Sequence, residues 1–229
     1  QDRVMNRVVS KEISDFYETE HKEHGVKFIF NKEVISFEGD KSVDQVVLSD
    51  QKRIKTDIVL IGIGAIPNTE ITNHTKIKTD DGIVIDNKCC TEEEDIYAIG
   101  DCTSHWSSIF NKNIRLESVQ NALDQAKIAV NNICGINSIY NTVPWFWSDQ
   151  YKLKLQIAGI SESYDKTIIR GDKEKKSFSC LYLKNKILIA IDAINNPKDF
   201  IQSKKIIAEK IPLKLDKLND SKIELKDLT

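Results

Sequence analysis

Hydrophobic positions along the chain fall into two textures. In the first part, Ile13, Phe16 and Tyr17 recur at i, i+3, i+4 spacing, which predicts a helix over about residues 10–24. Ser10 stands at its N-cap position and Gly25 just beyond its end. "VKFIF" (26–30), "EVISFEG" (33–39) and "SVDQVVLS" (42–49) follow as short β-rich runs, broken by the turn-like "GDKS" and "SDQK". This order predicts an α/β unit followed by a small antiparallel meander. "DIVLIGIG" (57–64) is apolar continuously rather than alternately, the pattern of a parallel strand covered on both faces. "GIVID" (82–86) and "IYAIGDC" (96–102) have the same strand-like character, and the second ends at Gly100-Asp101. Residues 116–134 predict the clearest helix, with Val119, Ala122, Leu123, Ala126, Ala129, Val130 and Ile133 as an apolar stripe and Gly135 as its stop.

The second texture begins at "NTVPWFWSDQYK". "KLQIAGI" (154–160), "KTIIRG" (166–171), "FSCLYLKN" (178–185) and "KILIAIDAI" (186–194) predict closely spaced strands without long helices between them. One helix follows over about 197–210, opened by Pro197 in its first turn. These elements predict a separate α+β module. The Lys/Asp-rich tail from Ile211 to Thr229 is amphipathic and is expected to pack on, or run over, the surface.

Composition narrows the function classes. The 229 residues are 40% apolar and 30% charged, with a formal net charge of −2 and both signs interspersed. No basic footprint for nucleic acid emerges, and no apolar stretch is long enough to span a bilayer, so the expected setting is cytoplasmic. Cys89, Cys90, Cys102, Cys134 and Cys180 form no CxxC and no ligand-like spacing with the four histidines, so the expectation is reduced thiols and no metal. The chain opens on "QDRVMNRVVS", without an initiating methionine, and reads as a segment of a longer polypeptide.

The chemical signal lies in two strand-like runs that end in glycine. Without a Cβ, the main chain at Gly62, Gly64 and Gly100 can approach a flat or phosphorylated ligand beyond the ends of the strands. Asp101 then offers a carboxylate suited to accept hydrogen bonds from a sugar or polyol. The plain alternative is a turn glycine followed by a solvated aspartate. "GIG" is not a G-x-G-x-x-G fingerprint, and none occurs in the chain. The N-terminus of the helix after Leu116 would favour negative charge on a ligand, or Ser118 simply caps a helix that packs on the core. Trp145, Phe146 and Trp147 read either as core or as a flank for a flat cofactor.

The ordered set "TDIVLIGIGAIPNTE", "GIVID", "DIYAIGDC", "RLESVQNALDQAKIAV" and "PWFWSDQY" resembles the FAD-dependent ferredoxin reductases of the two-dinucleotide-fold flavoprotein disulfide-reductase superfamily. The resemblance covers essentially the whole chain but roughly the C-terminal half of such an enzyme. It implies an α/β fold, a partial two-dinucleotide-binding-domain flavoprotein with a C-terminal α+β domain. Residues 1–64 would be the remainder of an NAD-binding domain, 65–143 the C-terminal part of an FAD-binding domain, and 144–229 the reductase C-terminal domain. The implied activity passes electrons from NAD(P)H through FAD to a 2Fe–2S ferredoxin that serves an oxygenase system. The resemblance leaves a homodimer open.

The resemblance also implies roles. Asp101, following Gly100, would hydrogen-bond the ribityl chain of FAD. Glu117 and Ser118 would be cofactor-binding, and Val119, at the start of its helix, would meet the flavin pyrimidine edge through its backbone. Trp147 would lie beside the isoalloxazine. Gly62, Ile63 and Gly64 would line the nicotinamide approach, and Arg3 and Arg7 would sit near the NAD adenosine. No acid–base residue is implied, because binding, orientation and electrostatics are the protein's share of such chemistry. An NADH oxidase or monodehydroascorbate-reductase-like flavoenzyme is the alternative within the superfamily. An interaction module or non-catalytic fragment is the alternative outside it.

Overall fold

A computed structural model describes residues 1–229, which form two compact units, 1–65 and 66–229. In the first unit, helix α1 (Lys11–Glu23) buries Ile13 and Tyr17 on one face, as their spacing predicts. Ser10 occupies the N-cap position, but its side chain makes no capping hydrogen bond. Arg3 organises the approach to the helix instead: its guanidinium donates to the carbonyls of Asn6 (3.0 Å), Val9 (2.9 Å) and Ser10 (3.3 Å), and to the Ser14 hydroxyl. Gly25 closes the helix at φ +84°, a left-handed geometry that glycine adopts without a Cβ penalty.

The meander is an antiparallel sheet of β1 (Val34–Glu38), β2 (Gln45–Leu48) and β3 (Arg53–Lys55), in that order. Its third strand is the short Arg53–Lys55 segment, which the sequence reading passes over in favour of the more apolar run behind it. That run, 57–64, corrects the expectation. It forms no strand, and Ile58, Leu60, Ile61 and Ile63 are exposed, Leu60 to 95%. A parallel strand takes its hydrogen bonds from neighbouring strands, and no strand of this unit pairs with it. "VKFIF" likewise forms no strand, although the Phe28 and Phe30 rings stack at 5.5 Å.

In the second unit, β4 (Ile83–Ile85) pairs parallel with β5 (Thr103–Ser107), which pairs antiparallel with β6 (Lys112–Arg115). The β5–β6 hairpin follows a polar sequence that carries no period-2 signal. "IYAIG" corrects a second expectation: its apolar run predicts a strand, but the segment forms only a single bridge, between Tyr97 and Cys90. Helix α2 (Val119–Ile133) packs Ala129 and Ile128 against Ile83, Ile85 and Cys89.

The apolar stripe of α2 mostly faces outward. Val119 (59% exposed), Leu123, Val130 and Ile133 are uncovered, whereas Gln120, Asn121 and Gln125 are buried. Hydrophobic periodicity identifies the helix correctly and misassigns its inner face.

The second texture becomes a five-stranded antiparallel sheet of β7 (Trp145–Gln150), β8 (Leu153–Gly159), β9 (Lys166–Asp172), β10 (Ser177–Lys184) and β11 (Ile187–Ile194), ordered β7-β8-β11-β10-β9. Helix α3 (Pro197–Glu209) opens with Asn196 as N-cap and Pro197 in its first turn. It packs Phe200, Ile206 and Ile207 with Leu181, Leu183, Ile191 and Ala193 of the sheet. The tail packs as well, burying Leu213, Leu218, Leu225 and Leu228 in the same core. At the end of β8, Gly159 (φ +83°) lies so close to β11 that a Cβ would sit 2.1 Å from the Ile189 carbonyl oxygen. No helix is long and apolar enough to cross a membrane.

Candidate functional site

The "IGDC" turn is held from below by α2. Gly100 adopts φ +85° and donates its amide to Gln125 Oε1 at 2.7 Å, and the same oxygen accepts from the Thr103 hydroxyl at 3.0 Å. The Gly100 carbonyl accepts in turn from the Thr103 amide (3.1 Å) and hydroxyl (2.8 Å). The turn is thereby fixed with Asp101 at its outer corner, where its side chain is exposed and its carboxylate has no protein partner. This is the arrangement expected of an acceptor for ligand hydroxyls.

A neighbouring turn packs against this one. Gly82 (φ +126°) leaves no room for a side chain, since a Cβ would meet the Cys102 carbonyl oxygen at 2.8 Å. The Ile83 amide donates to that same carbonyl at 2.8 Å.

At the head of α2, Ser118 takes the Asn121 amide on its hydroxyl at 3.2 Å, and its carbonyl takes the Ala122 amide. The amides of Val119 and Gln120 have no protein acceptor, so the helix start offers two free donors and its dipole to an electron-rich group. Asn121 stiffens the segment, donating to the Leu116 carbonyl (3.1 Å) and accepting from the Tyr140 hydroxyl (2.7 Å). His105 lies edge-on to Tyr140 at 5.0 Å; its Nδ1 is buried without a partner, and burial lowers its pKa to about 4. His105 is therefore a neutral packing group.

Glu117 is bound rather than free, accepting from Arg115 Nη1 at 2.6 Å. Trp147 on β7 is 47% exposed beside Trp145, whose ring packs on Phe200 (5.6 Å) under Lys204. Trp145 thus anchors the pair in the core and Trp147 presents its ring outward. Within the first unit, Gly62, Ile63 and Gly64 are exposed main chain, with Gly64 at φ +105°. Arg7 is exposed, whereas Arg3 spends its guanidinium on the carbonyls before α1. The residues that sequence reasoning missed are Gln125, Thr103 and Arg115, because only the fold brings α2, β5 and β6 to the same turn.

The family pattern described as pyridine nucleotide-disulphide oxidoreductase matches residues 1–126. The chain belongs to that family. A second pattern, the reductase C-terminal domain, matches residues 145–229, which begin at Trp145 of β7. Among oxidoreductases of this family, the chain is 39% identical to the ferredoxin reductase subunit of a 5,5'-dehydrodivanillate O-demethylase from Sphingobium sp., covering 100% of the chain and 56% of that protein. It is 38% identical to putidaredoxin reductase of Pseudomonas putida, over 99% of the chain and 54% of that protein. The crystal structure of the covalent putidaredoxin reductase–putidaredoxin complex superposes with a TM-score of 0.94 at 38% identity, covering 99% of the chain and 55% of that structure's chain. The chain thus spans about half the length of the relatives it matches.

Members of this family carry a flavin. The residues at the α2 head fit such a group: an unpartnered carboxylate at Asp101 suits a polyol, and two unpartnered amides at Val119 and Gln120 suit an electron-rich ring edge.

Proposed function

We propose that this chain is the part of an NAD(P)H:ferredoxin reductase that holds the ribityl chain and pyrimidine edge of FAD, and that the whole protein delivers electrons to a 2Fe–2S ferredoxin serving an oxygenase. The observation that carries the reading is the pairing, in a member of this family, of the free Asp101 carboxylate with the free amides at the head of α2. The likeness to a reductase crystallised in complex with its ferredoxin supports the choice of acceptor. When bound, FAD would accept a hydride and release single electrons.

In this reading, residues 1–64 are the remainder of an NAD-binding domain, 65–143 the returning part of the FAD domain, and 144–229 the C-terminal domain. Asp101 accepts from ribityl hydroxyls, the Val119 amide faces the pyrimidine edge, and Trp147 flanks the ring system. Gly62, Ile63 and Gly64 line the nicotinamide approach, and Arg7 is the basic group available to the adenosine. Arg3 is left out, since its donors are already taken.

The uncovered apolar residues at 57–64, and separately those on α2, support a further part of the reading. A polypeptide equivalent to the portion of the relatives that this chain does not match packs on each of these faces and completes the grip on FAD. The 229-residue chain by itself then binds FAD weakly and has no turnover. The test is reduction of a 2Fe–2S ferredoxin by NADH, catalysed by the flavin-loaded protein that carries this chain. NADH-dependent bleaching of the ferredoxin is expected, and electron delivery to oxygen alone would contradict the assignment.

A further inference from the structure

Arg115 closes β6 at a point where three separate connections meet. Its Nη1 donates to Glu117 Oε1 (2.6 Å), just before α2, and to the carbonyl of Asp101 (3.3 Å), in the turn before β5. Its Nε lies 3.1 Å from Asp81 Oδ1, in the turn before β4, as a charge contact rather than a straight hydrogen bond. The guanidinium side chain is only 15% exposed, while Asp81 and Glu117 lie further out.

Two features make this more than a surface ion pair. Arg115 touches the main chain of Asp101 and leaves its carboxylate untouched, so it fixes the turn without neutralising the acceptor. Its single positive charge also offsets part of the negative charge of Asp81 and Glu117, carboxylates that would otherwise repel Asp101 and an electron-rich ligand edge more strongly. A planar fork reaching three anchors from one side chain is a geometry that a lysine ammonium does not reproduce.

We propose that Arg115 is the positioning residue of this site, holding the Asp101 carboxylate and the head of α2 in the mutual arrangement that a bound flavin requires. The proposal rests on the flavin reading above, and its test separates the two. Amide exchange is measured residue by residue on the flavin-free chain and on its Arg115→Lys, Arg115→Gln and Asp81→Asn variants. The amides of Gly100, Thr103 and Ile83 are expected to exchange roughly tenfold faster or more in Arg115→Gln, with Lys recovering only part, while β10–β11 amides are unchanged. Asp81→Asn, at an exposed position, produces a smaller rise at the same three amides. Unchanged exchange, or an equal rise throughout the molecule, overturns the proposal.

The second readout is the response to FAD. Shifts that FAD induces at the Asp101 and Val119 amides are expected to need a roughly fivefold higher concentration in Arg115→Gln. An unaltered response overturns the positioning role. If the exchange result holds but FAD perturbs neither amide in the unsubstituted chain, the flavin reading fails and Arg115 organises the turns alone.

Discussion

Gln125 Oε1 accepts from both the Gly100 amide and the Thr103 hydroxyl, so one side chain of α2 sets the shape of the turn that presents Asp101. Replacing it with leucine leaves the Gly100 amide without its acceptor, while the Thr103 hydroxyl keeps only the Gly100 carbonyl, a loss of about 1–3 kcal/mol. Gln125→Leu should lower the melting temperature and weaken FAD binding together. Gln125→Glu keeps the acceptor and should recover much of both. Calorimetry and a flavin titration check this; a Gln125→Leu protein with unaltered FAD affinity would disconnect the turn from the site.

Glycines separate by what stands beside them. Gly159→Ala drives a Cβ into the Ile189 carbonyl and should prevent a stable five-stranded sheet from forming. Gly25 has open space around it at φ +84°, so Gly25→Ala should cost about 1 kcal/mol, the backbone penalty alone. Denaturant unfolding of the two variants measures the contrast, and equal losses would contradict it.

Arg170 ties the tail to the sheet. It is buried on β9, pairs with Asp199 at 3.0 Å, and donates to the carbonyls of Leu218 (3.3 Å), Asp220 (2.5 Å) and Ile223. Removing one partner of a buried pair costs about 3–5 kcal/mol, so Arg170→Met should destabilise the second unit and expose 211–229 to proteolysis. Arg170→Lys should rescue little, because one ammonium cannot span those carbonyls. A protease-resistant tail in Arg170→Met would refute this role.

Two buried groups give stability opposite pH dependences. Burial lowers His105 from 6.5 to about 4, so the unfolded chain binds the extra proton in that interval and stability falls as pH drops through it. Burial raises Asp192 from 3.8 to about 7, despite the hydrogen bond from Tyr182, so the folded chain binds the extra proton and stability falls as pH rises through that interval. His105→Phe should flatten the acid-side loss, and Asp192→Asn should flatten the loss on the rise towards neutrality. Melting temperatures across pH 4–8 check both signs; profiles identical to the unsubstituted chain would contradict them.

The legible parts of the fold were those stabilised within a local unit. The strands of the second texture and α3 follow directly from β-rich runs and Pro197, because most of their partners lie within the same module. The run at 57–64 carries the strand signal without a strand neighbour, so its sequence describes an environment the structure does not supply. On α2, apolarity marks an outward face, while Gln120, Asn121 and Gln125 turn inward to hold polar connections. The exposed turn that carries Asp101 was readable from its place after Gly100. The roles of Gln125 and Arg115 were not readable, because Gln125 meets Gly100 across 25 positions and Arg115 meets Asp101 across 14.

The central claim is that the Asp101 turn and the head of α2 receive a flavin. An amide-resolved titration of the 229-residue chain with FAD tests it most directly, since it registers weak binding. The account predicts saturable shifts at Gly100, Asp101, Val119 and Gln120 and at the Trp147 indole, abolished by Asp101→Ala. Saturable shifts confined to other residues, or none up to millimolar FAD, would contradict it.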